Sequence, residues 1–167
     1  MSTILGLDLG ERRIGVAIAE SDGFSARPLA TLRRGRTLEA DAAAIQALVD
    51  LHAADELIVG LPLEAAGQEG SQAALTRSWA AGIAPLLDEA TPISFQDERL
   101  SSHLAEQRLG PMQRGRSGGP PSRTQRDAHR ARVDREAAAI ILQDALDTRR
   151  GPGASSSRPP TTMEIPS

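Results

Sequence analysis

The segment Ile4-Leu5-Gly6-Leu7-Asp8-Leu9-Gly10-Glu11-Arg12-Arg13-Ile14-Gly15-Val16-Ala17-Ile18 sets one carboxylate, Asp8, at the end of an otherwise apolar strand. A glycine-bearing turn then joins that strand to a second apolar one. Burying an ionised carboxylate without a counter-charge costs several kcal/mol or more, so such a group binds a cation, pairs with a base or carries chemistry. The nearest bases along the turn are Arg12 and Arg13, and a salt bridge to either is the structural alternative to a cation. Two further acids stand at comparable places. Asp97-Glu98 closes the apolar run Pro92-Ile93-Ser94-Phe95, and Asp134 opens the stripe Ala138, Ile141, Leu142, Ala145. Acids from two strands and one helix could converge on a divalent metal.

The order of elements supports that convergence. Residues 3 to 9 and 13 to 20 read as a hairpin, with glycines where the backbone turns or packs closely. Residues 28 to 33 form a third strand at a sheet edge, because Pro28 lacks a ladder donor. Thr37 to Ala54 has helical spacing at Ala42, Ile45, Leu48, Val49 and Ala53, with Thr37 as cap. Leu57-Ile58-Val59-Gly60-Leu61-Pro62 is a continuous apolar run, the mark of a parallel strand buried on both faces. A helix follows from Ser71 to Glu89, with Leu75, Trp79, Ile83 and Leu86 as its apolar stripe. Residues 92 to 97 make a fifth strand, residues 100 to 109 a short helix, and residues 133 to 148 a last helix. Three strands followed by alternating units predict an α/β fold, a five-stranded mixed sheet with helices on both faces. Active groups gather at the ends of central strands in such sheets.

Whether Asp134 caps the last helix or lies inside it depends on where that helix starts. Asp is a favoured cap, but Ser122-Arg123-Thr124-Gln125 has capping-box form and would start the helix earlier. Asp97 competes with Glu98 as the site carboxylate, because strand alternation puts it with Ile93 and Phe95. Ser101 and Ser102 read as caps of the helix that follows, since no His and acid pair stands by to activate them. The three histidines are scattered among polar neighbours, and only His103 lies near a candidate acid.

The chain has 167 residues and no cysteine, which suits one domain and excludes disulfides and thiolate metal sites. No apolar run approaches the roughly 20 residues of a membrane helix, and the N-terminus enters strand pattern without a charged leader. The expectation is a cytoplasmic protein with no membrane association. Residues 1–149 are expected to fold, and residues 150–167, rich in Pro, Ser and Gly, to form a disordered tail. The net charge is -3, yet all 19 basic residues are Arg, and Gln107 to Arg132 carries seven of them against the single acid Asp127. That stretch is a candidate phosphate-binding surface, with a solvated Arg-rich loop as the plain alternative. None of the three aromatics lies in it, so base stacking is not how a nucleic acid would be held.

Four motifs in order carry a resemblance: GLDLGERRIGVAI from Gly6, IVGLPLEAAGQEG over 58 to 70, DERLSS over 97 to 102 and RVDREAAAIIL over 132 to 142. Together they resemble the YqgF/RuvX family of the RNase H-like superfamily, described as Holliday junction resolvases and as nucleases processing the 5′ end of pre-16S rRNA. The resemblance implies an RNase H-like domain and metal-dependent phosphodiester hydrolysis. It further implies Asp8, Glu98 and Asp134 as catalytic, metal-binding carboxylates for two Mg2+ or Mn2+ ions. Arg99 of the DER motif joins Arg114, Arg116, Arg123 and Arg126 as expected substrate contacts. The implied partner is nucleic acid, structured RNA or branched DNA, acted on by a monomer or weak homodimer.

Three other readings compete. An ATP-using enzyme of the actin and sugar-kinase group also has a Gly-Asp-Gly first strand, but it needs two such lobes to enclose a nucleotide. A junction resolvase must cut two strands symmetrically, which requires a dimer, and no dimer signature is evident. A non-catalytic ribosome-assembly factor would have no need for all three acids.

Overall fold

The computed structural model describes residues 2–20, 25–98, 101–112, 114–115 and 117–151, apart from the side chain of Ser102. Five strands, β1 (Thr3–Leu9), β2 (Arg13–Glu20), β3 (Arg27–Arg33), β4 (Glu56–Pro62) and β5 (Ile93–Glu98), form one sheet in the order β3-β2-β1-β4-β5. The first three pair antiparallel, and β4 and β5 run parallel to β1. This is the mixed sheet expected from three consecutive strands followed by crossovers. Pro28 is accommodated at the sheet edge in β3, beside a bulge that falls between Val16 and Ala17 of β2.

Helices cover both faces. On one, α1 (Leu38–His52) and α2 (Ser71–Ile83) pack on Leu5, Leu7, Val16, Leu57 and Val59 through Ile45, Val49, Trp79 and Ile83. Thr37 caps α1 by accepting the Ala40 amide at 3.2 Å. On the other face α4 (Arg123–Arg150) lays Ala138, Ala139, Leu142 and Ala145 against Ile4, Ala17 and Ile58. The short α3 (Ser101–Leu109) joins α4 through Ala105, Val133, Ala137 and Ile140.

Three expectations are corrected. The α2 helix stops at Ile83 and continues only as a 3-10 turn, Ala84–Leu86, because Pro85 has no amide to extend the ladder. Its buried face is Ala73, Thr76, Trp79, Ala80 and Ile83, which leaves Leu75 and Leu86 exposed. The last helix begins at Arg123 rather than 133, capped by Ser122 and Gln125 in a reciprocal capping box. It also runs beyond the expected residue 148 to Arg150, and Arg149 ties it to Glu56 of β4. The expected disordered tail lies, from residue 152 onward, outside the described residues.

Candidate active site

Asp8 stands on the α4 face of the sheet because strand alternation groups it with Ile4 and Gly6, while Leu5 and Leu7 face α1 and α2. Glu98 lies on the same face: the register pairs Gly60 with Gln96 and Pro62 with Glu98, and Gly60 looks onto Ile141 of α4. Asp97 pairs with Leu61 and sits on the opposite face with Phe95, over which the Arg77 guanidinium stacks at 5.0 Å. The two neighbouring acids of the DER motif are thus separated by the sheet, and Glu98 is the one beside Asp8.

Asp134 arrives from above. It lies inside α4, eleven residues after the first helical residue, so it is not a cap. A row of glycines makes its approach possible: Gly6 faces Leu142, Gly60 faces Ile141, and Gly15, directly opposite Asp8 in the hairpin register, faces the Asp134 backbone. Larger residues here would hold the helix off the sheet.

The electrostatics follow from this proximity. Burial, then repulsion from Glu98 and from Asp134, pushes the Asp8 carboxyl up from the ordinary 3.8 to about 8. Glu98 is also raised, chiefly by burial, although the Ser101 hydroxyl and amide donate to it and oppose the shift. Asp8 has no hydrogen-bond or ion-pair partner among the described residues. The salt bridge to the turn arginines therefore does not form. Arg13 instead donates from Nε to Asp134 Oδ2 at 2.5 Å, across the mouth of the site.

A hard divalent cation suits this donor set, since all three groups are carboxylates and their mutual repulsion is what a cation relieves. Among the described residues no three acidic or histidine side chains are gathered closely enough to enclose one ion as they stand. Arg13 holds one of the two Asp134 oxygens, Oδ2.

The expected substrate arginines divide. Arg123 lines a cleft beside the site, Arg114 is exposed, and Arg126 is exposed with Nη1 donating to the Pro121 carbonyl at 2.6 Å. Arg99 and Arg116 lie outside the described residues. His103 is exposed and engages Gln107, away from the acids. Ser101 is buried and donates its hydroxyl to Glu98.

Asp41 carries a role that no motif announced. This buried carboxylate of α1 accepts from the Gly35 amide at 2.8 Å, the Trp79 indole at 3.1 Å and Arg34 Nε at 3.5 Å. Arg34 also donates to the Gly10 carbonyl at 3.2 Å, which fixes the turn leaving Asp8 against the body of the protein. Its signal in the sequence is faint: an acid on the apolar side of α1, beside Ala42 and Ile45.

Known proteins resemble this chain along nearly its whole length. A protein of Chloroflexus aggregans named "Putative pre-16S rRNA nuclease" is 41% identical over 150 residues, covering 90% of this chain and 96% of its own. One of Anaeromyxobacter sp. with the same name is 43% identical over 145 residues, covering 87% and 96%. Among solved structures, Thermus thermophilus RuvC in complex with a Holliday junction substrate aligns with a TM-score of 0.49 and 16% identity, covering 90% of this chain and 97% of that one. The family model described as RuvX, Holliday junction resolvase, matches residues 2–148, and the chain belongs to that family of nucleases.

Proposed function

We propose that the protein is a divalent-metal-dependent nuclease that hydrolyses phosphodiester bonds of structured RNA, in the 5′-end processing of pre-16S rRNA. The observation that carries the reading is the placing of Asp8, Glu98 and Asp134 on one face of the sheet, where burial, and after it repulsion from the other two acids, raises the Asp8 carboxyl to about 8. An unpartnered acid kept in that state is poorly explained by stability alone. The names of the relatives favour RNA over branched DNA as substrate.

In this reading Asp8, Glu98 and Asp134 together hold two Mg2+ or Mn2+ ions. When bound, the metals supply an activated water and neutralise charge on the phosphorus and the leaving oxygen. Ser101 positions Glu98 by its hydroxyl and amide. Arg13 balances Asp134 in the metal-free protein and becomes available to a substrate phosphate when that pair opens. Arg99, Arg114, Arg116, Arg123 and Arg126 contribute phosphate contacts. The protein works in the cytoplasm as a monomer or weak homodimer.

The test is cleavage of a 5′-extended 16S rRNA fragment, an RNA duplex and a four-way DNA junction, side by side with Mg2+ and Mn2+. Metal-dependent cutting of the precursor by the wild type, abolished in Asp8→Asn, supports the proposal. Cutting confined to the junction would reassign the substrate. No metal-dependent cutting of any of the three would leave the fold as an assembly factor.

A further inference from the structure

We infer that the cleft between the β1–β2 turn, the loop from β3 to α1 and the start of α4 is the track on which a nucleic-acid backbone lies as it leaves the carboxylates. The inference rests on the nuclease reading above and adds the surface and the mode of recognition.

A cavity of about 690 Å³ is lined by six arginines, Arg12, Arg13, Arg33, Arg34, Arg36 and Arg123, against two acids, Glu11 and Asp127. A second cavity, of about 420 Å³, shares Glu11, Arg12 and Arg13 with it and continues to Arg130 and Asp134. The two clefts adjoin at Glu11, Arg12 and Arg13, one reaching Asp134 and the other the residues that follow the edge strand β3.

Two of the six arginines are already engaged. Arg13 pairs with Asp134, and Arg34 spans Asp41 and the Gly10 carbonyl. These two line the floor of the cleft. Arg12, Arg33, Arg36, Arg123 and Arg130 are exposed and have no carboxylate partner among the described residues. Five exposed guanidiniums along one surface create a positive potential that attracts a polyanion.

The shape selects the class of anion. A channel with several separate guanidiniums suits successive phosphates better than one phosphate group. Among the described residues no aromatic ring lines either cavity: Trp79 is in the core and Phe95 is on the strand at the opposite sheet edge. Bases therefore find no stacking platform, and recognition is through phosphates without regard to sequence. Three of the five free arginines, Arg12, Arg33 and Arg36, fall outside the Arg-rich stretch that the sequence brings to notice. Folding assembles the surface from three separate segments.

The test measures binding without chemistry, by fluorescence anisotropy of a labelled mixed-sequence single-stranded RNA in EDTA across a range of salt. Arg33→Gln with Arg36→Gln removes two of the arginines that line the larger cleft and touch none of the three candidate carboxylates. The slope of log affinity against log salt should become shallower by about 1.4, at about 0.7 per contact on a single strand. Arg27→Gln with Arg149→Gln changes the net charge equally at the opposite end of the sheet and should leave the slope unchanged. Arg33→Glu with Arg36→Glu should weaken binding further, and circular dichroism confirms that each variant is folded. Wild-type slopes in the channel variants, or equal changes in the control, would overturn the track while leaving the nuclease reading intact. A wild type with no salt-dependent binding would overturn both.

Discussion

A Cβ built on Gly15 would lie 1.9 Å from the carbonyl oxygen of Asp134, a backbone atom of α4 with no freedom to rotate away. Gly15 is also the register partner of Asp8. One missing methyl group thus allows the helix carboxylate to meet the strand carboxylate. Gly15→Ala should push α4 off the hairpin, at a cost of at least about 1–3 kcal/mol from overpacking. Metal-dependent cleavage should fall much further than stability alone explains. Gly119→Ala meets only the Ser117 hydroxyl, at 3.6 Å, and should change neither melting temperature nor activity. Equal behaviour of the two variants would show that close packing at Gly15 does not place Asp134.

Asp8 should make the metal-free protein less stable as pH rises. Its folded carboxyl titrates at about 8 against an ordinary 3.8, so between those values the folded chain keeps a proton that the unfolded chain has released. Stability contributed by this group is full below the lower value, is lost as pH rises toward the upper one, and is level above it. The slope is at most about 1.4 kcal/mol per pH unit, reduced by whatever solvent reaches the partly exposed side chain. Asp8→Asn removes it. Urea unfolding in EDTA at several pH values should give curves that diverge, with the variant the more stable at pH 8. Parallel curves would show that the acid is not strained.

Strand alternation and the apolar run at Leu57–Leu61 made the sheet legible, because period-two patterning and burial on both faces are local properties. The separation of Glu98 from Asp97 was implicit in that alternation but needed the pairing of β5 with β4 to show which face Asp8 occupies. The length of α4 was written in Ser122 and Gln125, yet the polar first turns carry no apolar stripe to announce a helix. Arg13–Asp134, Asp41–Trp79 and the arginine channel were hidden for a different reason. Each joins residues far apart in the chain, and nothing in local sequence gives their distance.

Asp41→Ala should be among the more destabilising single changes away from the acids. It leaves the Trp79 indole and the Gly35 amide without their acceptor and leaves Arg34 without its carboxylate. Breaking a buried charged network of this kind costs about 3–5 kcal/mol, far more than an exposed ion pair. Chemical denaturation would measure it. A loss under about 1 kcal/mol would mean that water satisfies these donors and that the turn after Asp8 is held by the sheet alone.

Truncation locates the C-terminal boundary of the fold. Ending the chain after Gly151 should leave the melting temperature unchanged, whereas ending it after Thr148 removes the Arg149 pair that holds the Glu56 carboxyl below its ordinary range. A pair this exposed contributes about 0–1 kcal/mol, so the second truncation should lower stability slightly without unfolding the domain. A large loss after Gly151 would place stabilising contacts in the residues beyond it.

In the proposed metal site Arg13 would compete with a cation for Asp134. Their 2.5 Å contact is about a quarter exposed on each side, so losing it should cost no more than about 1 kcal/mol. Its effect on a metal should be larger, because a positive charge beside the carboxylates opposes a second one and engages an oxygen of a proposed ligand. Arg13→Gln should therefore bind Mn2+ more tightly than the wild type when titrated by calorimetry or by loss of the free-ion paramagnetic resonance signal. Cleavage at saturating metal should nonetheless fall, since the same guanidinium is the one placed to meet a substrate phosphate. Weaker Mn2+ binding in the variant would mean that Arg13 shapes the site by holding Asp134 in place, and the exchange of partners would have to be abandoned.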